Sequence, residues 1–176
     1  MSLSWNEIKT RAAAFVNEWK DRAPTAREEA DAQTFETGFF RIFGVERSQV
    51  AIFEQKVRLS PEANGYIDLF WKGHVMIEMK SPGKDMTKAF EQAKNYANAL
   101  NPADLPKCIL ICDFNHFHYY DLLKNAEMTE FALVDLVQFI ELFGDLAGYK
   151  DVEYKKQDAV NIEAAEKMGR LHDRLK

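Results

Sequence analysis

Outside its central Lys72-Gly73-His74, the stretch Tyr-Ile-Asp-Leu-Phe-Trp-Lys-Gly-His-Val-Met-Ile-Glu-Met-Lys over 66–80 is apolar except for three charged side chains: Asp68, Glu78 and Lys80. Charge in the middle of a buried ribbon needs compensation, because an unpaired buried ion is expensive. Two carboxylates and an ammonium can satisfy one another. They can equally hold a hard divalent cation beside a general cationic group. The first alternative is a cross-strand ion-pair cluster on a solvated sheet face; the second is a site for a divalent cation.

Strand period sharpens the metal reading. In Val75-Met76-Ile77-Glu78-Met79-Lys80 the side chains alternate, so Glu78 and Lys80 share a face, one pleat apart. A two-residue loop at Lys72-Gly73 would set Asp68 opposite Ile77, on the wrong face. An odd loop with Trp71 opposite Val75, or a bulge, sets Asp68 across from Glu78, close enough to share one ion. The metal reading therefore predicts the register.

The elements that must position these residues follow from pattern. Ser4-Trp5-Asn6-Glu7 has capping-box spacing and opens a helix ending near Lys20. Thr25-Ala26-Arg27-Glu28 has it too and opens an aromatic helix ending at Phe43, with Gly44 at C′. A strand is expected over 50–59, a loop over 60–65, then the hairpin 66–80. Asp85 caps a helix over 86–100, whose stripe is Met86, Ala89, Phe90, Ala93, Ala97 and Leu100. The apolar run bracketed by Lys107 and Asp113 reads as a central strand covered on both faces. Strands over 117–122 and 131–134 and a helix over 135–146 complete the order. The result is α/β: a mixed central sheet with helices on both faces. Val160, Ala164, Met168, Leu171 and Leu175 form a further helical stripe in the charged tail.

Composition narrows the class. The chain has 176 residues and is 47% hydrophobic, which suits one domain with a sizeable core and argues against disorder. No apolar run reaches membrane-spanning length and the N-terminus is not a signal peptide, so the expected location is cytoplasmic, with no membrane partner. The net charge of −5 argues against bulk electrostatic binding of nucleic acid. From Lys72 to Lys94, however, five lysines face Glu78, Asp85 and Glu91, a local excess of two positive charges. Lys72, Lys84, Lys88 and Lys94 are candidate phosphate contacts, although solvated lysines are the default. Cys108 and Cys112 read as buried apolar residues of a reduced protein, too far apart along one strand for an ordinary disulfide.

The order Gly65-Tyr66-Ile67-Asp68, nine residues, Glu78-Met79-Lys80, then Gln92-Ala-Lys-Asn-Tyr96 on the next helix resembles the PD-(D/E)XK nuclease superfamily in its RecB-like form. The segments 32–44, 66–73, 77–83 and 112–114 further resemble the N-terminal nuclease domain of MmeI-like type IIG/IIL restriction–modification enzymes. The resemblance implies a restriction-endonuclease-like α/β/α core. It implies an endonuclease domain over 1–150, with 151–176 as the start of a helical connector toward a methyltransferase domain. It implies DNA hydrolysis at Asp68, Glu78 and Lys80, with Mg²⁺ (Mn²⁺ as substitute) held by Asp68, Glu78 and the Met79 carbonyl. Products would carry 5′-phosphate and 3′-hydroxyl. Gln92 and Tyr96 would support the site, contacting the scissile strand or holding Lys80. Glu36, with Gln33 one turn before it, is the candidate for an acidic residue on the first core helix; the alternative is an exposed helix glutamate. Expected partners are double-stranded DNA, adenine methyltransferase and target-recognition domains in the same chain, and a second copy on DNA, since a double-strand cut needs two sites. Two rival classes remain: a RecB-like exonuclease or repair nuclease, and a non-catalytic nucleic-acid- or protein-binding module on the same fold.

Overall fold

The first helix begins where the capping box places it. In the computed structural model, which describes residues 2–149, α1 spans Trp5–Trp19. Ser4 Oγ accepts from the Glu7 N–H while the Glu7 carboxylate accepts from the Ser4 N–H. Ile8, Ala12, Phe15 and Trp19 form its buried stripe.

The second expected box does not form. Pro24 lies inside a 3₁₀ turn, Ala23–Thr25, and the Thr25 hydroxyl turns back to the Arg22 carbonyl. Helix α2 starts three residues later and spans Glu28–Ile42. Two other groups close its open end: the Arg27 N–H donates to Asp31, and the Glu28 N–H donates to Ser81 Oγ at 3.2 Å. Phe43 and Gly44, the latter at φ +73°, end the helix as expected. A helical turn, α3 (Arg47–Val50), leads into the sheet.

Six strands follow the chain in order across one sheet: β1 (Ile52–Ser60), β2 (Ala63–Trp71), β3 (Val75–Met79), β4 (Cys108–Cys112), β5 (His116–Asp121) and β6 (Glu127–Ala132). Neighbours are antiparallel except β3 and β4, which the crossover helix α4 (Met86–Asn98) makes parallel. The loop expected over 60–65 is a tight turn at Pro61-Glu62, because β1 and β2 stay paired to Ser60↔Ala63. The edge strand expected over 131–134 lies earlier, at β6. The helix expected over 135–146 is broken into a 3₁₀ turn (Leu133–Asp135), a short α5 (Leu136–Phe139) and 3₁₀ winding over Ile140–Ala147. The apolar spacing explains the break: Ile140, Phe143 and Leu146 recur every third residue, the period of the tighter helix.

The sheet is covered on both sides. Helices α1, α2 and α5 pack on one face around Trp19, Phe35, Phe39, Phe117 and Phe143, with Leu69, Ile77, Leu110 and Cys112 from the strands. Helix α4 covers the other face through Ala89, Phe90, Ala93 and Tyr96 against Ile67, Phe70, Met76, Ile109 and Ile111. Strand β4 is wholly buried and alternates between the two cores, as its apolar run required. Burial pushes the Cys108 thiol up to about 12 and Cys112 well above its ordinary range, so both are inert apolar residues. The expected connector over 151–176 lies outside the described residues. Among the described residues no helix is long and apolar enough to cross a membrane.

Candidate active site

The hairpin loop fixes the geometry of the acids. Trp71 pairs with Val75, Phe70 with Met76 and Leu69 with Ile77, so the loop is the odd one, Lys72-Gly73-His74, with Gly73 at φ +73°. The ladder between β2 and β3 stops there. At the next row, where Asp68 meets Glu78, the strands part. The Met79 N–H, which would have donated to a β2 carbonyl, donates to Asp68 Oδ2 at 2.8 Å instead. A strand residue turns its N–H and C=O toward the same edge, so the Met79 carbonyl faces this gap too. The Lys80 N–H points the other way and donates to the Cys112 carbonyl at 2.8 Å.

A second irregularity accompanies the gap. Ile67 and Phe70 both pack under α4, whereas Leu69 packs on the opposite core. The alternation therefore shifts at Asp68, and Glu54 on the neighbouring strand takes a left-handed φ of +51° at the same level. Such a shift re-aims one side chain without moving the strand.

Asp68, Glu78, Lys80 and Glu36 come together around the parted strands. Glu78 is 1% exposed and Glu36 2% exposed, so neither lies on a solvated face or an open helix surface. Burial, then repulsion from Asp68, pushes the Glu78 carboxyl up to about 8. Burial raises Asp68 too, against the Met79 N–H and the Lys80 charge, which favour its anion. Burial followed by the charges of Asp68 and Glu78 drives Glu36 well above its usual range, with Arg47 opposing. One oxygen each of Glu36 and Glu78 is buried with no hydrogen-bond partner. Burial would lower the Lys80 pKa, but Asp68, Glu28 and Glu78 outweigh it and hold the ammonium above its ordinary value. Lys80 Nζ lies 3.4 Å from Glu28 Oε1 and 3.8 Å from Glu78 Oε2.

Glu28 is the residue that sequence reasoning missed. It sits in the first turn of α2, and Ser81, just past β3, holds its N–H. Its one sequence signal is a carboxylate two helical turns before Glu36 on the same helix. Gln33 turns elsewhere: it lines a separate cleft of about 640 Å³ between α1 and α2, with Arg11, Arg41 and Arg47. Gln92 Nε2 donates to the Tyr96 hydroxyl, and the Tyr96 ring covers the Gly65 backbone, where a Cβ would come within 2.3 Å of it. Neither reaches Lys80, whose side-chain partners are Glu28 and Glu78. They brace the strand that carries Asp68.

Among the described residues no three acidic, His or Cys side chains close into a ready-made metal cage. The arrangement is an open one: two adjacent carboxylates, a backbone carbonyl and unpartnered oxygens on Glu36 and Glu78. A small set of hard oxygen donors suits Mg²⁺ or Mn²⁺ better than Ca²⁺, which takes more ligands, or a thiolate-seeking metal. The residues present therefore fit such an ion.

Among solved structures the chain is similar to the cryo-EM structure of a DrdV–DNA complex, at 15% identity and a TM-score of 0.50. The match covers 82% of this chain and 15% of that one, so the chain spans a small part of the structure it resembles. This likeness shows the fold, a restriction-endonuclease-like mixed sheet flanked by helices. No curated protein matches. The family model described as "MmeI, N-terminal domain" matches residues 10–176, and with most of its length so matched the chain belongs to the MmeI N-terminal domain family.

Proposed function

We propose that the chain is a Mg²⁺-dependent endonuclease domain that hydrolyses phosphodiester bonds of double-stranded DNA. We place it within a restriction–modification enzyme whose adenine methyltransferase and target-recognition domains reside elsewhere in the same protein. The observation that carries the reading is the Asp68–Glu78 pair at the parting of β2 and β3, with Lys80 beside it and unpartnered oxygens on Glu36 and Glu78. Family membership and the DNA complex formed by the structurally similar DrdV support the same reading.

Asp68 and Glu78, with the Met79 carbonyl, would hold the cation, which when bound supplies charge to the phosphate and lowers the pKa of a bound water. Glu36 would offer its unpartnered buried oxygen beside them. Lys80, whose ammonium Asp68, Glu28 and Glu78 favour, would donate to phosphate oxygen or to the attacking water and offset negative charge developing on phosphorus. Glu28, 3.4 Å from the ammonium, helps Glu78 hold it in place. Tyr96 and Gln92 keep β2 seated, and with it Asp68. A double-strand cut would bring two copies together on DNA.

The test is metal-dependent nicking of supercoiled plasmid, alongside Mn²⁺ binding by calorimetry. Wild type should nick closed circles and bind Mn²⁺, and Asp68→Ala should do neither. Digestion confined to linear ends would point instead to an exonuclease. Mn²⁺ binding that is undisturbed in Asp68→Ala would remove the site.

A further inference from the structure

The β1–β2 pair outruns the sheet. The ladder between β2 and β3 ends at Leu69↔Ile77, whereas β1 and β2 stay paired through Gln55↔Ile67, Lys56↔Tyr66, Val57↔Gly65 and Arg58↔Asn64 to Ser60↔Ala63. A two-stranded ribbon therefore projects past the acidic site from the level of Asp68. One face is covered: Val57, Gly65 and Ile67 are buried beneath α4, with Tyr96 across Gly65. The other face is open. Lys56, Arg58, Asn64 and Tyr66 are all exposed, and Tyr66 is 55% exposed. Lys56 and Arg58 enter no ion pair among the described residues. Their nearest acidic neighbours along the ribbon, Glu54 and Glu62, stand at its base and its turn. In a chain of net charge −5, this is a cationic, aromatic face that no other described residue covers.

We infer that this face is a contact surface for the DNA backbone flanking the phosphodiester to be cut. The inference rests on the nuclease reading and adds to it where the duplex lies. Lys56 and Arg58 are two residues apart on one face, about 6.7 Å along the strand. They can each engage a phosphate, while Asn64 and Tyr66 opposite them offer hydrogen bonds to phosphate or sugar. A two-stranded ribbon is also narrow enough to enter the major groove. Neither Lys56 nor Arg58 packs in the core, so removing both leaves the fold intact.

The experiment is anisotropy of a short labelled duplex with the 176-residue chain, without divalent metal, across a salt series. Each neutralised phosphate contributes about 0.9 to the slope of log affinity against log salt. The double variant Lys56→Ala/Arg58→Ala should lose about 1.8 of that slope, so its affinity relative to wild type changes about twelvefold between about 50 and 200 mM salt. A control of equal charge on other surfaces, Lys20→Ala/Lys124→Ala, should bind like wild type. An unchanged slope in the ribbon variant overturns the inference. So does an equal loss in the control, absence of salt-dependent binding by wild type, or equally tight binding of poly-glutamate. Mn²⁺ calorimetry separates this from failure of the nuclease reading: the ribbon variant should keep the wild-type isotherm and Asp68→Ala should lose it.

Discussion

Replacing Glu78 by Gln should stabilise the metal-free protein above neutral pH, although it should destroy the site. Glu78 is 1% exposed, and its carboxyl is raised from an ordinary value near 4.5 to about 8, first by burial and then by Asp68. An acid whose pKa is raised by folding contributes its stability below the unfolded value and loses it as pH climbs through the folded one. At about 1.4 kcal/mol per pH unit, the whole span is worth at most about 5 kcal/mol above pH 8. Asp68 shares the proton, so about half of that is a fair expectation for Glu78 alone. At roughly 2–4 °C per kcal/mol for a chain of this size, the melting temperature of Glu78→Gln should exceed that of wild type by about 5–10 °C at pH 8.5 in EDTA. The difference should close toward pH 5. Thermal melts followed by circular dichroism at several pH values provide the measurement. Mg²⁺ should raise the wild-type melt at pH 8.5 and leave the Gln variant unmoved. A Gln variant no more stable than wild type at pH 8.5 would refute the claim that burial and Asp68 outweigh Lys80 at this carboxylate.

Other substitutions probe the neighbours. Glu36→Ala should weaken Mn²⁺ binding about tenfold in calorimetry while raising the metal-free melt, because it removes a buried, repelled carboxyl. Glu28→Ala should lower plasmid nicking about tenfold without weakening Mn²⁺ binding, since it releases the Lys80 ammonium and removes a charge that opposes ionisation of Asp68; Glu28→Asp should restore part of the rate. Gly65→Ala should cost about 1–3 kcal/mol in denaturant melts, because its Cβ meets the Tyr96 ring at 2.3 Å. Pairing it with Tyr96→Ala should recover part of that loss. Cys108 and Cys112 should resist a thiol reagent in the folded protein and react on unfolding.

Much of this arrangement is legible in the residues. The Ser4 capping box, the buried β4 run and the α4 stripe are local patterns with local causes, and all three appear where the sequence puts them. The Trp71↔Val75 register follows from a conditional argument: only one loop parity lets Asp68 meet Glu78. What the sequence withholds is set by partners far along the chain. Thr25 has the spacing of a cap, but Pro24 commits it to a 3₁₀ turn, and the cap comes from Ser81 after β3. Glu28 reads as the last residue of a capping box that does not form; its place beside Lys80 depends on that distant hydroxyl. The shift of face at Asp68 and the left-handed Glu54 are properties of two strands jointly. The segment over 135–146 reads as one helix, and the break into 3₁₀ and short α turns appears only in the packed chain.

The bond from Ser81 to the Glu28 N–H ties the start of α2 to the segment leaving β3. Helix ends are where thermal fraying begins, and here the first turn carries the counter-ion of Lys80. Warming should therefore slacken the ammonium's tether well before the aromatic interior gives way. Heat tolerance of the chemistry and heat tolerance of the fold would then be two separate quantities, joined by a single hydroxyl.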